Sequence, residues 1–465
     1  MKKPLLEGIE IVKVAAGGKA IGYTGEKVVF VPGTVPGDVV DVQVTRSRSR
    51  FMEGFVVRTR VLSPGRVTPF CAHFGTCGGC CWQNMPYEAQ LAFKQQEVED
   101  ALRRVGHAEL PAIDPIIGSA RTREYRNKLE FTFSDRRFLT REEVESGVAV
   151  GPSPALGFHA PGLFDKVVDV EWCHLQGEPS NAIRNFTRRL AMERGASFYS
   201  ARERRGLLRG LIVRTSTTGE VMVIVVFGED DRGGREAVLE GIRREFPSIA
   251  SLQFAVNEKG NDSVSDLEMV TFAGEPCIFE EMEGLRFRVG PKSFYQTNPV
   301  QARELYRRAR EMAGLTGKEL VYDLYTGTGT IALFAAAGAR RVVGVEYVQE
   351  AIDDARVNAR MNGVDNATFI AGDMKEVLSG GLLDAHGRPD VVITDPPRAG
   401  MHPAVVEAIA RAGARRVVYV SCNPATQARD VGLMLEGYRV AAVQPVDMFP
   451  QTHHVENIVL LERRD

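Results

Sequence analysis

The chain has 465 residues, a formal net charge of −2 at neutral pH and 44% hydrophobic residues. Its length predicts about three domains. The charge excludes a globally basic nucleic-acid binder, so any RNA contact has to come from local basic surfaces. No apolar stretch is long enough for a signal peptide or a membrane span. Four of the seven cysteines crowd into residues 71–81, which favours metal binding or catalysis in the cytoplasm over a disulfide framework.

The first 62 residues predict a small β-barrel of the OB type. Short valine-rich stretches alternate with glycine and proline turns, a spacing typical of such barrels. Arg46, Arg48 and Arg50 alternate with serines, so they share one face of an extended strand and suit an RNA phosphate backbone. A solvated edge whose charges block aggregation is the alternative. The segment resembles a TRAM domain, an RNA-binding module of RNA-modifying enzymes.

A cysteine-rich loop follows the predicted barrel. Glycines between the thiols let Cys71, Cys77 and Cys80 converge on one centre, with Cys173 as a distant fourth ligand. The spacing of Cys71 and Cys173 differs from the two C-x2-C pairs of most zinc ribbons, which favours an iron-sulfur cluster, although zinc also accepts four thiolates. Cys81 points away from its neighbour, so we expect it to be buried packing.

Residues 63–285 predict an α+β domain. A helix is expected over residues 87–105, with Leu91, Val98, Leu102 and Val105 on one apolar face. Basic residues flank an aromatic residue between positions 121 and 131, which suits RNA, with a solvated strand face as the alternative. Strands are expected over residues 129–133, 156–158, 211–215 and 221–227, and helices over residues 180–193 and 234–245.

From about residue 319, strands and helices alternate as in an α/β Rossmann-like domain. The first strand runs into a turn in which Gly327, Gly329 and Ala332 match the G-x-G-x-x-A pattern. Glu346 ends the next strand, where an acid would hold ribose hydroxyls. Nicotinamide cofactors and S-adenosylmethionine both use this geometry, so the turn alone leaves both open.

Two acidic turns and a thiol follow later strands. Asp373 comes after the third strand, where its carboxylate would accept a hydrogen bond from an adenine amino group. Asp395 opens an Asp-Pro-Pro-Arg turn that offers carbonyls and a carboxylate to a cationic ligand or a base edge. Cys422 ends the β-branched strand 417–421, at the sheet edge where ligands bind in open α/β folds. A buried structural cysteine is the alternative for Cys422 taken alone.

Five motifs resemble the family of RNA uridine C5-methyltransferases, which make 5-methyluridine with S-adenosylmethionine. They lie at residues 293–298, 323–329, 395–398, 421–426 and 447–456. The resemblance implies cofactor ligands at Gln296, Tyr325, Glu346, Asp373 and Asp395, a nucleophile at Cys422 and a base at Glu456. The family often has Asn where this chain has Thr330.

The resemblance also implies a substrate. Members with a TRAM domain and a cysteine-bound 4Fe-4S cluster typically modify large-subunit ribosomal RNA. We therefore expect a uridine of 23S ribosomal RNA as the target, with transfer RNA uridine 54 as the alternative.

Uracil chemistry explains these residue types. Carbon 5 is too weak a nucleophile to take a methyl group until a thiolate adds at carbon 6 and makes an enolate. A base must then remove the carbon 5 proton. His453 and His454 are alternatives to Glu456 for that base. The target base also has to leave its stack, at a cost of a few kcal/mol.

The sequence as a whole predicts a cytoplasmic, monomeric, three-domain enzyme. Its parts are an RNA-binding barrel (1–62), a central α+β domain with the cluster (63–285) and a methyltransferase domain (286–465). Two other classes remain open at this point. A nicotinamide oxidoreductase would use the same glycine turn but gives Cys422 no role, and a non-catalytic RNA-binding protein would explain only the N-terminal half.

Overall fold

The computed structural model describes residues 3–15, 17–148, 153–379 and 381–464. The chain divides into two compact units. Unit 1 comprises Met1–Gly75, Gly79–Thr122 and Asp395–Asp465, and unit 2 comprises Thr76–Gly78 and Arg123–Thr394. No helix within the described ranges is both long and apolar enough to cross a membrane.

Unit 1 begins with a closed β-barrel. Its strands are β1 (Leu5–Val14), β2 (Ala20–Thr24), β3 (Lys27–Val31), β4 (Val39–Ser47) and β5 (Phe51–Val61), in the order β1-β2-β3-β5-β4 around the barrel. Alternate apolar side chains, among them Ile11, Val29 and Val42, fill its core. The predicted small barrel is confirmed. Strand β2 is not one of the valine-rich stretches that predict the barrel, because this short strand contains a glycine and carries little alternation.

Helix α1 (Tyr87–Arg104) follows in unit 1, and its buried face is not purely apolar. Val98 and Leu102 are buried as predicted, but Gln90 and Lys94 complete the buried stripe. Val105 lies just beyond the helix and is 49% exposed, so its predicted place on the apolar face is wrong. The two polar side chains are buried because hydrogen-bond and charge partners meet them there.

Unit 2 begins with a seven-stranded sheet flanked by helices. Its elements are β6 (Lys128–Ser134), α2 (Arg141–Glu145), β7 (Ala155–His159), β8 (Val167–Asp169), α3 (Ser180–Glu193), β9 (Leu208–Thr215), β10 (Val221–Phe227), α4 (Arg232–Glu245), β11 (Ser251–Val256) and β12 (Val270–Gly274). The strand order is β12-β11-β10-β9-β6-β7-β8. Every residue of β10 is buried, which its continuous apolar sequence explains. This region has the mixed α+β character that the sequence predicts.

The rest of unit 2 carries the strand and helix alternation. Its elements are the hairpin β13 (Ile278–Met282) and β14 (Leu285–Val289), then α5 (Pro299–Ala313), β15 (Leu320–Leu324), α6 (Thr330–Ala336), β16 (Arg341–Glu346), α7 (Gln349–Met361), β17 (Ala367–Ala371), α8 (Met374–Ser379), α9 (Leu382–His386) and β18 (Val391–Thr394). The strands run parallel in the order β17-β16-β15-β18. Their carboxyl ends therefore meet at one edge, where ligands bind in sheets of this kind.

Unit 1 ends with a second group of strands and helices. They are α10 (Pro403–Ala412), β19 (Arg416–Ser421), α11 (Pro424–Met434), β20 (Tyr438–Val446) and β21 (Glu456–Arg463). Strand β21 pairs antiparallel with both β19 and β20. Helix α11 packs against α1, and Gly106 at the end of α1 permits this contact, since a Cβ there would lie 2.8 Å from the Ala428 carbonyl oxygen.

Candidate active site

Cys422 lies in the turn between β19 and α11 and is partly exposed. The turn has a defined shape because the Asn423 side chain caps α11 by accepting from the amide of Ala425 at 3.1 Å. The Asn423 amide group also donates to the Arg398 carbonyl at 3.0 Å, and the Thr426 hydroxyl donates to the same oxygen at 3.2 Å. The thiol is therefore held at the carboxyl end of a buried strand, as the sequence predicts.

Three charged side chains act on the Cys422 thiol. Burial is the largest effect, and together with the nearby Glu456 and Asp395 carboxyls it raises the pKa of Cys422 to about 11. Arg398 opposes them, since its guanidinium donates a hydrogen bond to the sulfur and its charge favours the thiolate. Arg398 is thus the group in this cluster that makes the thiol more acidic.

Glu456 begins β21 opposite Val446 of β20 and is 4% exposed. Burial, and then the neighbouring Asp395, raises the pKa of Glu456 well above its ordinary value, while Arg398 works against this shift. Burial also raises the pKa of Asp395 to about 7. The site therefore holds two carboxyls that keep their protons far more readily than surface carboxyls do.

The two histidines of the last motif lie near Arg398 and Cys81. His454 is 3.2 Å from the Arg398 guanidinium through Nδ1, and the rings of His453 and His454 have centroids 4.1 Å apart. His453 Nδ1 is 3.8 Å from the Cys81 sulfur. Burial, with the charges of Arg398 and Lys94, lowers the pKa of His453, so its neutral form is favoured. Both histidines are partly buried rather than surface residues.

The glycine turn after β15 has the backbone shape expected for a cofactor-binding turn. Tyr325 has a φ of 63°, Gly327 one of 54° and Gly329 one of 82°. A left-handed conformation is unusual for a tyrosine, and such strain is concentrated at functional sites. A Cβ placed at Gly327 would meet nothing within 4 Å, so the space over the turn is open.

The acid at the end of β16 is tied to this turn. Glu346 accepts a hydrogen bond from the Gly327 amide at 3.2 Å and others from the amides of Tyr347 and Val348 at 2.9 and 3.1 Å. Tyr347 is 72% exposed, an aromatic side chain next to the acid that the sequence analysis overlooked. Its signal in the sequence was only its position after Glu346.

The other proposed cofactor ligands are placed as follows. The Asp373 carboxylate accepts a hydrogen bond from the Lys375 amide at 2.9 Å, where α8 begins. Gln296 is 9% exposed, and its backbone carbonyl accepts a hydrogen bond from the Asn127 side chain at 3.2 Å. Thr330 is the first residue of α6. Asp395 belongs to unit 1, where it acts on Cys422 and Glu456, whereas Gln296, Tyr325, Glu346 and Asp373 belong to unit 2.

The four cysteines predicted to hold a cluster are not joined in disulfides. Four thiols are a donor set that suits iron-sulfur chemistry. Among the residues that the structure describes, however, no three or more His, Cys, Asp or Glu side chains are grouped so that they could hold a metal ion. Cys81 packs against Val35, Trp82 and Met85, and burial raises its thiol pKa to about 11.

The glycine turn and the acid that follows it are typical of an enzyme that binds a nucleotide cofactor, and the thiol at the end of β19 can act as a nucleophile. Comparison with known proteins shows that the class of enzyme is methyltransferase. Residues 280–464 match the family tRNA (Uracil-5-)-methyltransferase, and residues 9–57 match the TRAM domain. The chain belongs to the family of RNA uracil-5-methyltransferases, which methylate carbon 5 of uracil in RNA with S-adenosylmethionine. The oxidoreductase and the non-catalytic binding module are thereby set aside.

Several relatives match nearly end to end. An RNA methyltransferase of Bacteroides thetaiotaomicron is 57% identical, and the alignment covers 97% of this chain and all of the relative. An RNA methyltransferase of Porphyromonas gingivalis is 54% identical, and the alignment covers 98% of this chain and 99% of the relative. A solved structure, the Pyrococcus abyssi tRNA (uracil-54, C5)-methyltransferase in complex with S-adenosyl-L-homocysteine, is 28% identical with a TM-score of 0.75. The alignment covers 98% of this chain and all of the Pyrococcus abyssi chain.

Proposed function

We propose that this protein methylates carbon 5 of a uridine in 23S ribosomal RNA through a covalent bond between Cys422 and carbon 6 of the base. The observation that carries the proposal is the partly exposed Cys422 thiol, hydrogen-bonded by Arg398 and next to the buried Glu456. A thiol, a cation that favours the thiolate and a carboxyl with a raised pKa are the groups this reaction requires.

The first step is addition of the thiolate. The Cys422 sulfur forms a bond to carbon 6, and the electrons of the ring double bond move to make an enolate. Burial and the neighbouring carboxyls raise the pKa of the thiol, and Arg398 limits this rise because its positive charge favours the thiolate. The enolate carbon 5 then takes the methyl group that S-adenosylmethionine supplies, and the sulfonium sulfur keeps the electrons of the broken bond.

The second step is removal of the carbon 5 proton by Glu456, after which the carbon 6 to sulfur bond breaks and the double bond returns. An ionised Glu456 and a thiolate repel each other, since the Glu456 charge raises the Cys422 pKa. Once Cys422 has become a neutral thioether, this repulsion is gone and Glu456 ionises more readily. The raised pKa of Glu456 also lets it hold the abstracted proton near neutral pH.

The residues of unit 2 fit S-adenosylmethionine. We assign the amino-acid and adenosine parts of the cofactor to Gln296, Tyr325, Glu346 and Asp373, with Asp395 as a further ligand. The open space over Gly327 and the exposed Tyr347 ring next to Glu346 support this assignment, because an adenosine needs a hydroxyl acceptor and an apolar surface.

We further propose, from the cysteine pattern, that Cys71, Cys77, Cys80 and Cys173 hold a 4Fe-4S cluster with a structural role. Iron and sulfide analysis of anaerobically purified protein tests this. About four irons per chain, lost in Cys77→Ser and retained in Cys277→Ser, would support the cluster. Cys277 is a free, buried cysteine outside the motif and so serves as the matched control. One bound zinc, or no metal at all, would refute it.

Transfer RNA is the second candidate substrate, because the archaeal relative that aligns end to end is named for uracil 54 of tRNA. The proposal for ribosomal RNA is supported by the cysteine pattern combined with the TRAM domain. In either case we expect the exposed arginines 46, 48 and 50 of the barrel region to contact phosphates in the cytoplasm, where the RNA is.

The decisive experiment is methyl transfer from labelled S-adenosylmethionine to unmodified large-subunit ribosomal RNA and, separately, to transfer RNA, followed by nucleoside analysis. Label in 5-methyluridine of ribosomal RNA, absent with Cys422→Ala, is the expected result. Label in transfer RNA alone would keep the mechanism and change the substrate. Methylation that survives in Cys422→Ala would refute the covalent mechanism.

A further inference from the structure

The segment between β20 and β21, residues 447–455, leads directly into Glu456, and we call it the base loop. We propose that Gln90 and Lys94 of α1 are positioning residues that hold the base loop and so fix Glu456 relative to Cys422. The inference deepens the proposed function, on which it rests. All of these residues belong to unit 1.

The evidence from Gln90 is its set of bonds to Gln451, in the middle of the base loop. Gln451 has a φ of 69°, a conformation that costs a non-glycine residue free energy unless its surroundings impose it. The Gln90 side chain accepts from the Gln451 amide at 2.9 Å and donates to the Gln451 side-chain oxygen at 3.1 Å. The Gln451 carbonyl accepts from the amides of Cys81 and Trp82 at 2.9 and 3.1 Å. The strained residue is therefore fixed from two sides.

The evidence from Lys94 lies at the start of the same loop. Its ammonium donates to Asp447 at 2.6 Å and to the Phe449 carbonyl at 3.1 Å. Both side chains of the Lys94 and Asp447 ion pair are fully buried. The remaining Asp447 oxygen accepts from the Tyr87 hydroxyl at 2.7 Å. Because an apolar pair would fill this space at less cost in desolvation, we attribute the buried charges to the fixed geometry they impose.

Helix α1 also contacts the helix that begins beside the nucleophile. The end of α1 approaches α11 so closely that a Cβ at Gly432 would lie 3.0 Å from the Gly106 carbonyl oxygen. Helix α11 starts at Pro424, two residues after Cys422. One helix is thus packed against both the nucleophile's helix and the base loop that leads into Glu456.

This arrangement has a chemical consequence that separates positioning from folding. If Glu456 is displaced while Cys422 and the cofactor residues stay in place, addition and methyl transfer still occur, but the carbon 5 proton remains. The thioether between Cys422 and carbon 6 then cannot collapse, and protein stays bound to methylated RNA. Enzyme lost through unfolding would form neither the bond nor the methylated base.

The test is the variant Gln90→Met, which keeps the side-chain volume and removes both bonds to Gln451, together with the bonds that Gln90 donates to the Trp82 and Met85 carbonyls. We expect kcat to fall about 100-fold, as for a misplacement of about 1 Å, while the Kd for S-adenosylmethionine stays within about twofold. We also expect a covalent protein–RNA complex on denaturing gels, with a mass that exceeds protein plus RNA by the net CH2 of one methylation. Gln96→Met is the matched control, because Gln96 is exposed on the same helix and its side chain donates to Asp100 of that helix.

A second variant guards against a simple folding defect. Lys94→Met combined with Asp447→Asn replaces the ion pair with neutral side chains of similar size, so no charge is left buried alone. It should accumulate the same methylated complex. A normal kcat in both variants would overturn the positioning proposal. So would a kcat that falls only in proportion to the fraction of folded enzyme, with no covalent protein–RNA complex. If the wild-type enzyme makes no 5-methyluridine, the proposed function itself fails, and the positioning proposal fails with it.

Discussion

Arg398 is the residue on which the reactivity of the nucleophile depends, and Arg398→Met tests this directly. Burial and two carboxyls raise the Cys422 pKa to about 11, and Arg398 is the cation that opposes them. A hydrogen bond from a charged donor is worth about 1.5–3 kcal/mol, and about 1.4 kcal/mol corresponds to one pKa unit. Since Arg398 is exposed and screened by water, we take the lower end of this range. The variant should therefore have about a tenth of the wild-type thiolate at a given pH.

The assay is the rate at which iodoacetamide alkylates Cys422, followed by peptide mass spectrometry between about pH 7 and about pH 9, where the rate follows the thiolate fraction. Formation of the covalent RNA complex in a single turnover should slow by the same factor. Arg411→Met is the control, since Arg411 is an exposed arginine of unit 1 that pairs with Glu407. Equal alkylation rates in wild type and Arg398→Met at every pH would refute the role of this cation.

Three further predictions follow from the site. Burial raises the Asp395 pKa to about 7 from 3.8, so the folded state favours the protonated carboxyl and loses stability as pH rises from about 4 to 7. In urea titrations, Asp395→Asn should thus increase the free energy of unfolding by up to about 4 kcal/mol at about pH 8, and hardly at all at about pH 4. An equal increase at both pH values would contradict this prediction. Gly18 and Gly17 have φ of 79° and 78°, but only a Cβ at Gly18 meets the His453 Cβ, at 2.8 Å. Gly18→Ala should cost about 1–3 kcal/mol more than Gly17→Ala in the same titration, and an equal cost would argue against the contact. Glu346→Gln should weaken cofactor binding about tenfold by calorimetry, and an unchanged Kd would remove Glu346 from the cofactor site.

The sequence by itself determined the elements that depend on local pattern. The barrel strands other than β2, the buried β10 and the glycine turn after β15 follow from alternation, apolar runs and glycine positions, which act over a few residues. It also placed Cys422 at the end of a strand, because a β-branched run followed by an Asn-Pro turn has few other structures available.

The tertiary structure alone decided what surrounds these residues. Nothing local indicates that Arg398 bonds the thiol, or that Lys94 on a predicted apolar face meets Asp447, 353 positions away along the chain. A polar side chain can occupy a buried helix face only when a partner satisfies it, and that partner comes from a distant segment. Periodicity predicts which face turns inward, but the pairing of charges inside depends on which segments the fold brings together.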